Sequence, residues 1–453
     1  MPGPPVSPAR DGNGAGEGAQ ATVDVGQLID ERAISRFQLV TAIICGAIVF
    51  IDGFDAQVMG YVTPSIMGSL KLTRVAMSHV QSAGLVGMLV GAMVFGPLAD
   101  RFGRRPILVL CPLVFGIGSL LTTLGDSEGS LIAFRLLTGF GMGGAMPNTI
   151  ALTAEYMPKR SRASAVMIMF CGFSIGAAVV GWVAVPILPA FGWQAVFVVG
   201  GVLPLVITAV VFVSLPESIR FLVRRQREHR AHRYLARIAP GVPHTARLTL
   251  TDEAPQRGNM FKQLFAYGRY RVTLLLWVMF FTNLLDLYFI ASWLPTIIKG
   301  TGIPEGRAIM ISTLLQIGGL VGAIVLGRVL DRQLSFRLLA ATYFVAAVWV
   351  FLIGESGTSS TWLVVTVFAA GFGVIGSQFG ANAIAAEIYP TTSRSTGVGW
   401  AFGIGRIGSI LGPLMGPYLV GTTPRLFLLA AIPPLIACVA AIAASTMHAK
   451  DGP

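Results

Sequence analysis

Two aspartates lie three residues apart inside the first long apolar stretch of the chain, in the tetrapeptide Asp52-Gly53-Phe54-Asp55. Residues at this spacing share one face of a helix. A carboxylate in a lipid bilayer is costly unless it is protonated, paired or in contact with water, so an acid at this depth indicates a function. The pattern predicts a site that handles protons or a solute, with Asp52 and Asp55 as its proton-coupling groups.

Two arginines in other apolar stretches are the candidate counter-charges. Arg406 lies about ten residues into its stretch, near the middle of a bilayer, where we expect a guanidinium to face an anionic ligand or an acidic partner. The alternative is a purely structural pair with a helix carbonyl or carboxylate. Arg135 lies about one turn from the outer end of its stretch. An ion pair with Asp52 or Asp55 would explain Arg135, and so would snorkelling of its side chain to the membrane interface.

Other side chains could line a pocket for a solute with a carboxylate and an aromatic ring. Such a pocket requires a buried cation, apolar or aromatic walls and a few hydrogen-bond partners. Besides the two arginines, the candidate substrate-binding residues are Asp286, Asn283, Gln378, Asn382 and Trp400. The amides could equally join helix to helix, and the tryptophan could equally pack or anchor the protein at the interface.

The elements that would position these residues are membrane-spanning helices. Of the 453 residues, 54% are hydrophobic and only 12% are charged, whereas soluble domains carry about 25% charged residues. Twelve apolar segments come near the ~20 residues that a spanning helix needs. They cover residues 37–61, 78–98, 106–124, 131–153, 163–185, 193–215, 272–296, 308–327, 336–354, 361–384, 396–418 and 425–446. The sequence therefore predicts an all-α membrane protein with twelve transmembrane helices.

The basic residues predict the orientation of these helices, because Lys and Arg in short loops are retained in the cytoplasm. They cluster after the second, fourth and eighth segments and in a long connecting segment. We expect both termini to be cytoplasmic, with a disordered tail at residues 1–36, six-helix bundles at 37–215 and 272–446, a basic linker at 216–271 and a second tail at 447–453.

No other feature of the sequence predicts a nucleic-acid, metal, catalytic or cofactor site. The net charge of +12 is explained by the loops, so no nucleic-acid partner is expected. The four cysteines have neither metal-ligand nor disulfide-framework spacing, and the glycine-rich stretches lack a Walker lysine. We therefore predict no metal site, no catalytic residue and no cofactor.

The two predicted bundles repeat each other in sequence. Gly139 returns as Gly371 at an offset of 232 (371 − 139), and Asp55 aligns with Asp286 at an offset of 231 (286 − 55). The cation Arg135 has no counterpart, because it aligns with Val367. Two parallel six-helix repeats with a solute site between them are typical of one class of secondary transporter.

Charged residues at the predicted cytoplasmic helix ends are candidate gate residues. Glu155 is followed by Arg162, and their repeats are Glu387 and Arg394. We expect mirrored ion pairs that break during alternating access; the alternative is interfacial charge with no switching role.

The loop between the second and third segments carries the sequence Gly96-Pro97-Leu98-Ala99-Asp100-Arg101-Phe102-Gly103-Arg104-Arg105, echoed by Gly327-Arg328-Val329-Leu330-Asp331-Arg332. With this motif the chain resembles the major facilitator superfamily. The resemblance implies two pseudo-symmetric six-helix bundles and a gate latch in the outward-facing state. The latch residues would be Gly96, Asp100, Arg101, Arg104, Arg105, Asp331 and Arg332. The alternative is a charged turn that only sets topology.

The Asp52-Gly53-Phe54-Asp55 element resembles the D-G-x-D signature of the aromatic acid:proton symporter family, with Ala291-Ser292-Trp293-Leu294-Pro295 in support. The resemblance implies a monomeric importer of a hydroxybenzoate-like acid in a bacterial-type inner membrane, driven by the proton gradient without a cofactor. Its partners would be the aromatic acid, protons and the lipid bilayer.

Three other functions stay open. Pro216-Glu217-Ser218-Ile219-Arg220 resembles a sugar-porter motif, so a sugar or polyol symporter is the main alternative; a drug exporter and a non-transporting receptor are the others. Within the preferred interpretation, the repeat favours Asp55, which has the twin Asp286, as the coupling acid. Asp52 is then the expected partner of an arginine.

Overall fold

The fold is almost entirely helical. The computed structural model describes residues 22–243, 246–250, 264–265, 269–330, 335–357, 359–389, 394–419 and 423–448. In chain order its elements are β1 (Thr22–Asp24), α1 (Val25–Glu31), α2 (Arg36–Leu70), α3 (Arg74–Phe102), α4 (Arg104–Thr122), α5 (Glu128–Gly143), α6 (Ala145–Tyr156), α7 (Lys159–Ser214), α8 (Ile219–Arg224), α9 (Glu228–Ile238), β2 (Arg247–Thr249), α10 (Tyr270–Gly300), α11 (Glu305–Leu330), α12 (Phe336–Glu355), α13 (Ser360–Ile388), α14 (Arg394–Leu419), α15 (Thr423–Ala430) and α16 (Ile432–His448).

The prediction of an all-α membrane protein is confirmed. Within the described ranges, ten helices are long and apolar enough to cross a membrane. The count differs from twelve because α7 contains two predicted segments and the fourth segment is divided between α5 and α6.

Local backbone chemistry explains both differences. Gly192 has φ 76° inside α7, a left-handed conformation that glycine adopts without strain, and it bends the chain between the two predicted spans. The division after α5 falls at Gly144, three residues before Pro147. Proline has no backbone N–H to continue the helix.

Helix α2 is longer than the predicted segment 37–61. It begins with a capping box, in which Ser35 accepts from the backbone N–H of Gln38 and the Gln38 side chain accepts from the backbone N–H of Ser35. It continues to Leu70. Asp52 and Asp55 therefore both fall near the midpoint of this 35-residue helix.

The sequence repeat appears as a repeat of helix packing. A Cβ added at Gly87 of α3 would come within 2.2 Å of the Leu136 carbonyl oxygen in α5, and one at Gly318 of α11 within 2.0 Å of the Phe368 carbonyl oxygen in α13. Gly318 lies 231 residues after Gly87, and Phe368 lies 232 after Leu136. The two halves thus use the same backbone contact between equivalent helices.

The two bundles share an apolar core towards one end. We call the "basic end" the end that carries the turns after α3 and α6, and the "opposite end" the one with the turns after α2 and α10. Towards the opposite end one apolar cluster includes Tyr61 and Val62 of α2 together with Ile290 and Trp293 of α10. Towards the basic end each bundle has its own cluster. This arrangement closes the opposite end.

Residues 22–31 correct the prediction of a disordered tail to residue 36. Strand β1 pairs in parallel with β2, with Thr22 opposite Arg247, and α1 packs on the basic end of the first bundle through Val25 and Ile29. Asp30 accepts from the Lys159 backbone N–H at 2.7 Å. The partner strand comes from the predicted linker, 225 residues away (247 − 22), so no local pattern reveals it. Residues 1–21 lie outside the described residues.

The close approach of α11 and α13 yields a stability prediction. Gly318→Ala is expected to force these helices apart and to lower the free energy of unfolding by about 1–3 kcal/mol, as overpacking does. Thermal unfolding of the detergent-solubilised protein, followed by tryptophan fluorescence, would report a lower midpoint.

Gly68→Ala is the matched control, because a Cβ at Gly68 of α2 meets nothing within 4 Å. Its midpoint is expected to match or exceed that of the unmodified protein, since alanine favours helix. An unchanged midpoint for Gly318→Ala would contradict the tight contact.

Candidate functional site

A buried ion pair joins the first helix of the bundle to α5. Arg135 donates from Nη1 to Asp55 Oδ1 at 2.8 Å and from Nη2 to Asp55 Oδ2 at 2.9 Å. Arg135 is 4% exposed and Asp55 is 9% exposed. Two parallel bonds between planar groups make the strongest geometry available to such a pair. The predicted contact between Arg135 and one of the two aspartates is therefore present.

The helices around Arg135 are arranged to admit a guanidinium. Helix α5 begins at Glu128, so Arg135 lies about two turns inside it rather than one. The guanidinium carbon lies 5.8 Å from the centre of the Phe197 ring, and a Cβ at Gly84 would stand 3.4 Å from Nη2. Its burial excludes snorkelling to the interface in this conformation.

Asp52 lies one turn from Asp55 on the same helix and has a different environment. It is 3% exposed, and its Oδ2 atom has no hydrogen-bond partner among the described residues. Arg135 binds Asp55 instead, so Asp52 is not the partner of that arginine. The sequence repeat carried no information on which carboxylate the arginine reaches.

Arg406 lies near the middle of α14 and bridges the two bundles. Its Nη1 lies 3.3 Å from the Tyr288 hydroxyl oxygen of α10 and 3.1 Å from the Met88 sulfur of α3. Both are weak acceptors compared with a carboxylate. An anion that approached Arg406 would therefore offer it a better partner than it has here.

Asp52, Asp55 and Arg135 line one internal cavity between the bundles, and Arg406 contacts Met88 and Tyr288 of its wall. Its volume accessible to the centre of a water molecule is about 40 Å³. The lining residues are Asp52, Asp55, Ala56, Met59, Gln81, Gly84, Leu85, Met88, Arg135, Gly139, Met142, Tyr288 and Ser292. The cavity combines two carboxylates, one guanidinium, a phenol and apolar walls, which suits a small amphipathic solute.

The other predicted substrate residues form a separate polar group in the second bundle. Asn283 Nδ2 donates to Gln378 Oε1 at 2.7 Å, and Gln378 Nε2 donates to Asn382 Oδ1 at 3.0 Å. Asp286 lies one turn from Asn283 and is 1% exposed. None of these four lines the cavity beside Arg135.

Trp400 does not line that cavity either. Its ring stacks on Trp277 at 5.9 Å between centroids, and the residue is 44% exposed. Placing Trp400 in the substrate wall is therefore wrong for this cavity, because α14 turns that side chain towards Trp277.

Sequence reasoning missed two amides at the closed end of the cavity. Gln57 accepts from Gln316 Nε2 of the other bundle at 3.1 Å, and Gln81 donates to the Ser292 carbonyl oxygen at 3.5 Å and to Thr63 at 2.8 Å. Both stand within apolar segments, which is the signal that could have identified them.

The gate residues of the first bundle form a cluster at the basic end. Arg104 pairs with Glu155 at 2.8 Å, so the expected pairing of Glu155 with Arg162 is wrong; Arg162 Nε has no hydrogen-bond partner among the described residues. A Cβ at Gly96 would meet nothing within 4 Å. Asp100 and Arg101 are exposed. Within the described residues, neither side chain forms a hydrogen bond or an ion pair with the second bundle.

Glu217, from the motif after α7, completes the cluster. Its Oε1 accepts from the backbone N–H groups of Arg104 at 2.8 Å and Arg105 at 3.2 Å, at the start of α4, where a helix dipole favours an anion. Burial raises the pKa of the Glu217 carboxyl, and these hydrogen bonds oppose that rise. The residue fastens the connection after α7 to the motif loop.

The predicted gate residues of the second bundle are mostly not described. Asp331 and Arg332 lie outside the described residues, and so do the side chains of Glu387 and Arg394. The mirrored ion pair stays a prediction.

Solved structures share this architecture. The xylose transporter XylE from E. coli, in a partially occluded inward open conformation, superposes with a TM-score of 0.72 at 16% identity over 92% of this chain and 98% of that one. A bacterial homologue of the human lysosomal transporter Spinster, inward-facing and unoccupied, gives 0.67 at 17% identity over 92% and 98%. At these identities the likeness establishes the fold.

Other known proteins share a higher sequence identity with this chain. The chain is 37% identical over 429 residues to the 4-hydroxybenzoate transporter PcaK of Acinetobacter baylyi, covering 94% of each protein. It is 40% identical over 428 residues to a gallate transporter of Pseudomonas putida, covering 93% of this chain and 95% of that protein. The family model described as Major Facilitator Superfamily matches residues 45–381 and 276–451. The chain therefore belongs to the major facilitator superfamily, in the branch that includes these two relatives.

Proposed function

We propose that this protein imports an aromatic carboxylate together with protons by alternating access across a bacterial-type inner membrane, with both termini in the cytoplasm. The observation that carries the proposal is the cavity between the bundles, whose wall contains the buried Asp55–Arg135 pair. Arg406 contacts two other residues of that wall, Met88 and Tyr288, and forms no ion pair with a described residue. The relatives named for 4-hydroxybenzoate and gallate support the choice of solute class.

The chemistry of the cavity suggests how the two ligands would be coupled. Arg406 offers the charged hydrogen bonds that a carboxylate accepts, while the Tyr288 ring and Met88 offer apolar contact to a benzene ring. Protonation of Asp55 or Asp52 would weaken the attraction for Arg135 and release that cation to the incoming anion. The bound proton and the bound acid would then favour the same conformational transition of the carrier. Coupled transport requires only that the two ligands do so.

The closed opposite end supports an alternating-access cycle. Ser65 of α2 donates to Glu305 of α11 at 2.9 Å, and Tyr61 accepts from Thr313 at 3.2 Å. These contacts join the bundles and must break for the cavity to open at that end. If the basic end faces the cytoplasm, as the loop charges predict, this conformation is inward-facing.

A sugar or polyol symporter is the second candidate. The motif at Glu217 and the shared fold with XylE favour it, but a neutral solute would leave Arg406 with only the Tyr288 and Met88 acceptors. Uptake of labelled xylose without uptake of any aromatic acid would support this candidate and contradict the proposal.

Asp55→Asn is expected to abolish accumulation of labelled 4-hydroxybenzoate against its gradient in proteoliposomes with an imposed inward proton gradient. The variant cannot carry the proton and leaves Arg135 unpaired, at a cost of about 3–5 kcal/mol in stability. Asp55→Asn/Arg135→Gln, which removes both charges, is expected to recover stability and to remain uncoupled.

Glu128→Gln is the matched control, since it breaks an exposed pair with His79 that is worth at most about 1 kcal/mol. It is expected to accumulate the acid normally. Accumulation by Asp55→Asn at the unmodified level would remove Asp55 from the coupling role.

Arg406→Ala is expected to raise the Kd for 4-hydroxybenzoate at least tenfold, because a hydrogen bond to a charged group contributes about 1.5–3 kcal/mol. Arg406→Lys keeps the charge and is expected to bind with a smaller loss. Binding is measured by scintillation proximity with the purified protein.

Arg307→Ala removes an exposed arginine near the opposite end and serves as the control with unchanged Kd. Equal losses in Arg406→Ala and Arg406→Lys would show that the planar guanidinium geometry is needed. An unchanged Kd in Arg406→Ala would contradict the assignment.

A further inference from the structure

Asp286 is a buried acid that the cavity beside Arg135 does not use. It lies near the middle of α10 and is 1% exposed. Neither of its carboxylate oxygens has a hydrogen-bond partner among the described residues. An ionised carboxylate in that position would lack both a counter-ion and a donor, which is the most costly state for a group in a membrane protein.

The pseudo-symmetry explains why Asp286 lacks a cation. Asp286 is the repeat of Asp55, and the residue that repeats Arg135 is Val367 of α13, at an offset of 232 (367 − 135). Val367 is fully buried. The second bundle thus keeps the acid and the helix packing of the first bundle but replaces its guanidinium with an isopropyl group.

Two buried amide oxygens on α10 and the adjacent α11 also have no hydrogen-bond partner among the described residues. Asn283, one turn away on the same helix face, has committed its Nδ2 to Gln378, and its Oδ1 has no partner among the described residues. Gln316 on the adjacent α11 likewise donates to Gln57 and keeps an unpartnered Oε1. A proton on Asp286 would remove its charge and add a donor hydrogen to a bundle interior with unpaired acceptors.

The ionisable groups on the neighbouring helices also leave Asp286 without a hydrogen-bond donor. Those on the helices packed against α10, within the described side chains, are Arg36, Cys45, Asp52, Asp55 and Tyr61 of α2, Glu305, Arg307 and Arg328 of α11, Arg406 and Tyr418 of α14, and Cys438 of α16; α10 itself adds Tyr270, Arg271, Tyr288 and Lys299. None of them donates a hydrogen bond to Asp286. Arg406, the cation nearest the middle of these helices, is directed at Tyr288 and Met88.

We propose that Asp286 is a second proton-binding site of this carrier, in the bundle opposite the Asp55–Arg135 pair, and that it holds its proton in the conformation described here. As a part of the transport cycle, this inference rests on the proposed function. The second bundle then contributes a proton-binding acid of its own, beside the Asp52 and Asp55 group of the first bundle. A monovalent carboxylate carried with one proton moves no net charge, whereas the same acid carried with two protons moves one positive charge inward.

Infrared spectroscopy of the purified protein tests the proton directly, without any substrate. The unmodified protein at neutral pH is expected to show the C=O stretching band of a protonated carboxylic acid, which Asp286→Asn removes. Tyr343→Phe is the control, because it deletes another buried polar atom without a partner in the same bundle, and it is expected to keep the band. A spectrum that Asp286→Asn leaves unchanged would overturn the proposal.

Transport in proteoliposomes tests the consequence for charge. With equal pH on both sides and an inside-negative potassium diffusion potential, the unmodified protein is expected to accumulate labelled 4-hydroxybenzoate. Asp286→Asn, which mimics the protonated acid, is expected to lose that response while retaining counterflow exchange. Asp286→Glu, which keeps a titrating carboxyl, is expected to restore it. An unchanged response in a folded Asp286→Asn protein would contradict the proposal.

The two experiments separate the two proposals. If the unmodified protein carries no aromatic acid at all, the proposed function fails, and the infrared band still decides whether Asp286 holds a proton. If the acid is carried but the band does not depend on Asp286, the second site fails and the proposed function stands.

Discussion

The cost of an unpaired charge in hydrocarbon governs the arrangement of this protein. Asp55 and Arg135 are tolerable at mid-membrane depth because each is the bidentate partner of the other. The pair also ties α2 to α5, and the room for the guanidinium comes from Gly84 on a third helix. A change at any of these three positions therefore acts on packing and on charge together.

The two bundles keep the same helix packing but differ in their buried charged residues. Glycine contacts between α3 and α5 recur between α11 and α13, so the helices approach each other in the same way. At the equivalent positions of the second bundle, Val367 stands in place of Arg135, and Asp286 keeps the acid of Asp55. The result is one acid with a counter-ion and one with no hydrogen-bond partner among the described residues.

The conformation follows from where apolar surface is shared. One core includes residues of both bundles towards the opposite end, whereas each bundle has its own core at the basic end, where α1, α8 and α9 cover the first bundle. The cluster of Glu155, Arg104 and Glu217 holds the motif loop within that bundle. Alternating access would require the shared core to separate and the motif loop to find partners in the second bundle.

The sequence by itself determined the class of protein, the positions of the helices and the residues that bear charge inside them. These depend on local composition and period, which the chain displays directly. It could also pair Asp55 with Asp286 through the repeat. Only the tertiary structure decided that Arg135 binds Asp55 and not Asp52, that Glu155 binds Arg104, and that Trp400 turns away from the cavity. These contacts depend on how each helix is rotated, on where it begins and ends, and on side chains from distant segments. A shift of about one turn in any helix changes the contacts but leaves the sequence pattern the same.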